Sequence, residues 1–361
     1  MGIKVVLMRL WVIAVCVAAT AVLAACGSSG GQQPNPSDLS DPLTVMIPPS
    51  TIDASLPAEP VIFQLAVDRT TAGGLWRVAA AQGYFGREGL SARIEQLPHL
   101  DQISTALAAG AIDGAVVSTD QALLLAEQGL PIHIVLLLTS STEGTVILAR
   151  SDVSDIEGLI GKRVAYRPES GGELLLRVAL RESNVVPAAV QRIPTELVDP
   201  GDLLVRGSVD AAVVSGVEAI RAQTIDPALQ TLYSAGDRPG LLSQVLVVRD
   251  SVAQNRPGQM LALVRTWQSL HQLNNQQSEF VVSDLAALQK SSPEQVGVEL
   301  SGVLVYDVAA NAVGLLPGGE YFDTTIRTIR TVANEAGVIR GNIDPQTLID
   351  GSFAQAVASA R

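Results

Sequence analysis

Two stretches of the chain repeat one order of apolar and polar positions. The first starts at "VIFQLAV" and ends at "LAAGAIDGAVVS" (Leu107–Ser118), and the second starts at "KRVAY" and ends at "LVRGSVDAAVVS" (Leu204–Ser215). Each has an apolar strand-like run, an Arg, a Gly pair, a helical pattern, a second strand, a short helix and a last strand. Strands that alternate with helices are typical of mainly parallel sheets with helices on both faces. The repeat therefore predicts an α/β fold with two such lobes.

The loops that follow the strands form the predicted binding region. In open parallel sheets, ligands bind beyond the carboxyl ends of the strands. These loops are "RTTAGGLW" and "STDQA" in the first copy, and "RPESGGE" and "SGVEA" in the second. Two lobes that face each other with such loops would hold one ligand from both sides. Asp113 and Asp210 each precede the last strand, where we expect a structural carboxylate that bonds nearby backbone.

The chain passes between the two copies through extended segments. Residues 145–150 lead into the second copy, and "LLSQVLVVRD" leads out of it before helices continue to the C-terminus. These two connections predict a two-strand hinge. We expect residues 61–144 and 247–361 to form lobe 1 and residues 145–246 to form lobe 2.

The N-terminus has the order of a secretory signal, in which Lys4 and Arg9 precede a short apolar run. The stretch "LAAC", ending at Cys26, resembles a bacterial lipobox. We therefore expect residues 1–25 to be a lipoprotein signal peptide and Cys26 to carry lipid. That lipid would anchor the exported protein to the outer face of the bacterial cell membrane, or on the periplasmic side. Ordinary secretory cleavage beside an incidental cysteine is the alternative. The proline-rich residues 26–60 are typical of a flexible linker.

Composition excludes several classes of function. The net charge of −12 argues against a nucleic-acid partner. Both cysteines, Cys16 and Cys26, lie near the N-terminus, so the mature fold has no thiol nucleophile, disulfide or thiolate metal site. The three histidines are far apart and lack metal-ligand spacing, and no catalytic triad or acid pair emerges. We therefore expect a binding protein without metal or cofactor, not an enzyme.

Four motifs carry a resemblance to a known family: "AAAQGYFGREGLSARIE", "LAAGAIDGAVVS", "SDIEGLIGKRVAY" and "DAAVVSGVEA". In this order, the chain resembles ABC-importer solute-binding lipoproteins of the nitrate, taurine, aliphatic-sulfonate and pyrimidine-precursor binding family. The resemblance implies a type II periplasmic binding fold, a monomer that closes on a small solute and delivers it to permease subunits. An aliphatic sulfonate or taurine is the first expectation for the solute, and a nitrate-like ion is the second.

The geometry of that family places ligand contacts in the loops named above and at the end of the strand before the crossover. A Gly pair at a helix N-terminus and nearby hydroxyls suit an anion, although close helix packing and helix capping are the alternatives. Arg69 and Arg167 occupy matching positions and could clamp an anion. The candidate contacts are Thr70, Thr71, Gly73, Gly74, Trp76, Ser118, Thr119, Ser140, Ser141, Thr142, Arg167, Ser170, Gly171 and Ser215.

One residue departs from the expectation of an anion. Glu169 lies beside the second Gly pair and would repel an anion if it points inward. Solutes that bear an amino group and neutral heterocycles, such as a pyrimidine or thiamine precursor, therefore remain open. An extracellular sensor or adaptor on the same fold is the other alternative function.

Overall fold

Eleven strands form two separate sheets in the part of the chain that the structure describes. The structure is a computed structural model, and it describes residues 50–168, 170–335 and 337–360. The six-stranded sheet has the order β11 (Val303–Val305), β4 (Ile132–Ser141), β10 (Ser243–Arg249), β3 (Gly114–Ser118), β1 (Phe63–Val67) and β2 (Ala92–Gln96). The five-stranded sheet has the order β7 (Gln191–Pro194), β6 (Arg163–Tyr166), β8 (Ala211–Ser215), β5 (Thr145–Ala149) and β9 (Gln230–Ser234).

Helices connect and cover these strands. The α-helices of the described residues are α1 (Thr71–Ala81), α2 (Tyr84–Arg87), α3 (Leu100–Ala109), α4 (Thr119–Glu127), α5 (Gly171–Glu182), α6 (Pro200–Val205), α7 (Gly216–Ile225), α8 (Asp250–Asn255), α9 (Pro257–Gln276), α10 (Ser278–Gln289), α11 (Pro293–Ser301), α12 (Val308–Gly314), α13 (Ile326–Glu335) and α14 (Ser352–Ser359). Four short 3₁₀ segments (Glu157–Leu159, Pro187–Ala189, Ala235–Asp237, Pro345–Leu348) and a π-helical turn (Tyr321–Thr325) lie between them.

The sequence repeat is a structural repeat. Both copies run strand, helix, strand, helix, strand, and their strands pair in the same order, β2-β1-β3 and β7-β6-β8. All four of these pairings are parallel. The α/β fold class with two sheets is confirmed. The sheets are nevertheless mixed, because β10, β4 and β11 in one sheet and β5 and β9 in the other pair antiparallel.

The alternation of side chains along the strands divides the core into layers, because successive residues of a strand point to opposite faces. In the six-stranded sheet, Leu65 and Val67 join one hydrophobic cluster and Ala66 joins another. In the five-stranded sheet, Ile147 belongs to the same cluster as Ala66, whereas Val146 belongs to a third. One cluster is therefore shared by the two sheets, and each sheet has another cluster on its second face.

Asp113 and Asp210 have equivalent structural roles. Each accepts a hydrogen bond at 2.9 Å from a backbone N–H at the start of the neighbouring parallel strand, from Gln64 in one case and from Arg163 in the other. The expected structural carboxylate is present, but its partner is 47 or 49 residues away and not in the local turn. The repeated Asp therefore joins the last strand of each repeat to the first.

Glycines pack tightly where the chain crosses from β4 to β5. The N–H groups of Thr142 and Gly144 both donate to the carbonyl of Gly302, at 2.9 and 3.2 Å. A Cβ on Gly302 would lie 3.0 Å from the backbone of Gly144. The crossover and the segment before β11 are therefore in backbone contact, and this contact needs glycine.

Residues 50–60, which the sequence assigned to the linker, are docked on the helices behind the six-stranded sheet. Glu59 accepts hydrogen bonds from the N–H groups of Gly258 and Gln259, at 3.1 and 2.8 Å, and so caps α9. The Gln259 amide donates to the Glu59 and Val61 carbonyls, and Arg265 donates to the Ala54 carbonyl. Residues 50–60, which include Pro57 and Pro60, therefore supply the cap of a long helix, whereas the sequence predicted a flexible linker there.

Other N-terminal predictions fall outside the described residues. These are the signal peptide of residues 1–25, the lipid site Cys26 and the linker up to residue 49. Within the described ranges, no helix combines the length and apolar character needed to cross a membrane.

Candidate functional site

A cavity of about 1100 Å³ lies where loops of both sheets meet. Its lining comes from the carboxyl ends of β1 and β3, the ends of β4 and β10, the crossover after β4, and the starts of α5 and α7. Seven of the fourteen expected contacts line it: Thr70, Thr71, Ser118, Ser141, Ser170, Gly171 and Ser215. Matching loops of the two repeats thus contribute to one space.

Four of these lining residues also begin helices. Thr70 and Ser170 accept from the N–H groups of Gly73 and Glu173 at the starts of α1 and α5. Ser215 accepts from the Glu218 N–H, and the Glu218 carboxylate accepts from the Ser215 N–H. At the matching position, the Ser118 N–H donates to the Gln121 side chain. The hydroxyls are therefore held at the cavity edge by capping, which each helix needs whether or not a ligand is bound.

A polar row crosses three neighbouring strands at the cavity. Gln244 on β10 lies opposite Ser118 on β3 and opposite Thr139 on β4, and all three residues line the cavity. The side-chain oxygens of Gln244 (Oε1) and Ser141 (Oγ) are buried and have no hydrogen-bond partner. Buried polar atoms normally have partners, so Gln244 and Ser141 have hydrogen-bonding capacity that the protein leaves unused.

The first Gly pair does not reach the cavity. The Gly73 N–H donates to the Thr70 hydroxyl and the Gly74 N–H to the Thr70 carbonyl. A Cβ on Gly73 would lie 2.6 Å from the Asp68 carbonyl, and one on Gly74 would lie 2.7 Å from Leu285. Both glycines therefore serve close helix packing, and their amides are occupied.

Two expected hydroxyl contacts are turned into the core. The Thr119 hydroxyl is hydrogen-bonded to Ser243 at 2.7 Å and to the Tyr321 hydroxyl at 2.6 Å, and Thr119 is only 1% exposed. Ser140 is hydrogen-bonded to the Tyr306 hydroxyl at 3.0 Å. Neither residue lines the cavity, and each is hydrogen-bonded to the hydroxyl of another side chain instead.

Three further candidates are also engaged elsewhere. Trp76 is fully buried, with its ring centroid 5.3 Å from that of Trp267, so it is a core residue. Thr142 belongs to the crossover and does not line the cavity. Arg167 pairs with Glu218 at 2.9 Å, and so its charge is compensated by a carboxylate of the cavity wall.

The cavity wall is acidic. Among the described lining residues, five carry carboxylates and only Arg69 carries a positive charge. The carboxylates are those of Asp68, Asp120, Glu143, Glu218 and Glu299. The candidate list included none of them. A signal was available for two, because Asp120 and Glu143 stand directly beside the candidate residues Thr119 and Thr142.

Burial acts on these carboxyl groups in different ways. It raises the pKa of Asp68, although the Thr70 N–H and hydroxyl both donate to that carboxylate. It also raises the pKa of Asp120, against a hydrogen bond from the Ser118 side chain. For Glu218, burial is outweighed by hydrogen bonds from the Ser215 N–H and from Arg167, so the pKa lies below its usual value.

Two sheets with a shared polar cavity between their loops place the chain in the class of periplasmic-binding-protein folds, and solved structures agree. The aliphatic sulphonate binding protein SsuA from Escherichia coli matches with a TM-score of 0.67 and 16% identity, over 82% of this chain and 99% of that one. The nitrate-binding protein NrtA from Synechocystis PCC 6803 matches with a TM-score of 0.56 and 13% identity, over 84% and 90%. At such identities the likeness establishes the fold.

The sequence also matches the model of the NMT1/THI5-like family over residues 75–272, which is more than half of the chain. The chain belongs to the NMT1/THI5-like family. A search of curated protein sequences gave no match.

Proposed function

We propose that this chain is the extracytoplasmic solute-binding component of an ABC importer. It captures a small polar solute between its two lobes, closes around a hinge and delivers the solute to permease subunits. The hinge consists of the crossover after β4 and the segment that returns into β10. Closure follows because the solute binds more tightly to the closed form, which shifts the population toward that form.

The observation that carries this proposal is the cavity itself. A volume of about 1100 Å³ is large enough for a small organic molecule. The two sequence repeats, joined by two connections, both supply lining residues. That arrangement suits capture of a ligand from two sides better than catalysis, for which the sequence offers no acid pair or triad.

The character of the lining narrows the solute. Hydroxyl, amide and carboxylate groups dominate it, and the described lining residues include no aromatic ring. A flat pyrimidine would find nothing to stack on, which makes the pyrimidine-precursor alternative the weaker one. Sulfonate, taurine and nitrate, to which the resemblance pointed, are polar enough but differ in charge. SsuA and NrtA are named for aliphatic sulphonate and nitrate, and they support solute binding as a role for this fold.

Export and anchoring complete the proposal. The signal-like N-terminus and the lipobox-like stretch ending at Cys26 support a chain that is held at the outer face of the membrane by lipid on Cys26. Because residues 50–60 are docked, the tether extends at most over residues 27–49.

A thermal-shift screen of the chain tests the function. A solute that binds only the native state at 100 times its Kd stabilises it by about 2.7 kcal/mol. The screen covers alkanesulfonates, nitrate, pyrimidines and small amines, and hits are confirmed by isothermal titration calorimetry. We expect at least one class to raise the melting temperature. A chain that no class stabilises would contradict the proposal.

A pair of variants locates the binding. Ser118→Ala combined with Ser215→Ala should weaken the affinity for the hit, because both hydroxyls line the cavity. Ser292→Ala is the matched control, since Ser292 caps α11 in the same way and does not line the cavity. Equal losses in affinity from the cavity pair and the control would show that capping, not ligand contact, matters.

A further inference from the structure

We propose that the cavity selects a solute with a protonated amino group. The carboxylates of Asp68 and Asp120 hold this group at the carboxyl ends of β1 and β3. This inference rests on the proposed function, because it names the class of solute for the same cavity. It departs from nitrate and from simple alkanesulfonates, whereas taurine, which the resemblance also named, bears an amino group.

Uncompensated negative charge is the first reason. Glu218 is paired with Arg167. Asp68 and Asp120, by contrast, form no ion pair with any described residue, and burial raises the pKa of both carboxyl groups. Burying a carboxylate without a counter-ion costs free energy. A cationic group on the solute would supply the missing charge, whereas an anion would add to the repulsion.

Unpartnered buried oxygen atoms, of which the Gln244 amide oxygen can only accept, are the second and independent reason. Gln244 Oε1 and Ser141 Oγ are buried, line the cavity and have no partner. They lie on β10 and β4, on the side of β3 opposite to β1, where Asp68 follows. An ammonium group has three N–H donors and no acceptor. It therefore matches the carboxylates and the free amide oxygen of the wall, neither of which can donate a hydrogen bond to a sulfonate.

Among the described residues that line the cavity, only Arg69 carries positive charge. Arg69 is exposed, and it also borders an adjoining groove of about 710 Å³ together with Arg77 and Lys290. An anionic end of a longer solute would find positive charge there, whereas the polar row across β3, β10 and β4 carries none.

The arrangement of the carboxylates suits an organic cation better than a metal ion. No three acidic, histidine or cysteine side chains among the described residues are grouped as ligands of a metal ion are. Separate carboxylates suit an ammonium group on a carbon skeleton, because each N–H needs its own acceptor in its own direction.

Matched solutes test the charge preference of the full chain by isothermal titration calorimetry. The first pair is 1,4-diaminobutane and 1,4-butanediol; the second is 2-aminoethanesulfonate and 2-hydroxyethanesulfonate. In the first pair two ammonium groups replace two hydroxyls, in the second pair one ammonium group replaces one hydroxyl, and the carbon skeletons are the same. We expect the amino member to bind at least about tenfold more tightly, as a charge-assisted hydrogen bond allows. Equal or tighter binding of the hydroxyl member overturns the inference.

Variants assign the preference to residues. Asp68→Asn and Asp120→Asn should each lower the affinity for the amino member about tenfold or more and leave that for the hydroxyl member nearly unchanged. Asp101→Asn removes the same charge on exposed α3, outside the cavity, and is the control. Melting curves establish that each variant folds, and either aspartate alone suffices for the test. Unchanged selectivity in both variants overturns the inference.

The two proposals fail in different ways. If neither pair binds but another solute in the screen does, the amino-group inference fails and the binding function stands. If no solute of any class binds, both fail.

Discussion

The docked N-terminal segment provides the most direct test of the fold. Glu59→Gln keeps the shape of the side chain but replaces one carboxylate oxygen with an NH₂ group. That group would face an N–H donor at the start of α9, where Glu59 now accepts from Gly258 and Gln259. The cap, the charge and the docking of residues 50–60 are all weakened by one change.

The magnitude follows from the bonds lost. A hydrogen bond to a charged group contributes about 1.5–3 kcal/mol net, and a negative charge at a helix N-terminus adds about 0.3–1 kcal/mol. Glutamine can still accept one of the two N–H bonds, so we expect a loss of about 2 kcal/mol in the free energy of unfolding. At about 2.1 cal/mol/K per residue, this lowers the melting temperature by about 3 °C.

Urea unfolding followed by circular dichroism measures this loss. Glu95→Gln is the matched control, because Glu95 is exposed on the edge strand β2. Gly258→Ala is a second perturbation of the same contact, since a Cβ there would lie only 1.8 Å from the Pro57 carbonyl and would displace the segment. Limited proteolysis should then cut residues 50–60 faster in both variants. If Glu59→Gln unfolds like Glu95→Gln and Gly258→Ala leaves the cleavage rate unchanged, the docking is refuted.

Three further changes probe other contacts by the same unfolding measurement. Gly302→Ala should cost about 1–3 kcal/mol by overpacking the crossover, whereas Gly297→Ala, with no atom near the new Cβ, should be neutral or gain up to about 1 kcal/mol; equal effects would contradict the packing argument. Trp267→Phe should cost about 2–3 kcal/mol, because the buried indole N–H donates to the Tyr306 carbonyl at 2.8 Å; a smaller loss than 1 kcal/mol would argue against that bond. Asp210→Asn should destabilise most above pH 4, because hydrogen bonding to its arginine partner on β6 holds the pKa of Asp210 below its ordinary value of 3.8. Since the folded pKa is the lower one, that stabilisation is lost as the pH falls through it, and a difference that grows on acidification would refute this assignment.

The local patterns of the sequence were sufficient for the repeated unit. The period of two in β1 and β6 and the helical period of α1 and α5 depend on neighbouring residues, so they can be found without knowing the fold. The paired Gly and Asp positions were found in the same way. The backbone N–H groups that donate to Asp113 and Asp210 lie 49 and 47 residues away along the chain. The local pattern therefore pointed to the wrong atoms.

Only half of the candidate site residues could be predicted in this way. Hydroxyls at strand ends were found because that position is a feature of parallel sheets. A Thr at such an end can face the cavity, as Thr70 does, or a buried tyrosine, as Thr119 does. The choice depends on a helix more than 200 residues further along the chain.

The sequence alone determined that the chain contains two similar α/β units linked by two extended segments, because hydrophobic periodicity is a local property. Only the tertiary structure decided the charge of the cavity and the contacts of residues 50–60. It brings Gln244 between Ser118 and Thr139, gathers acidic side chains from several loops, and sets Arg167 against Glu218. These are long-range pairings, and electrostatic compensation between distant residues leaves no periodic trace in the sequence.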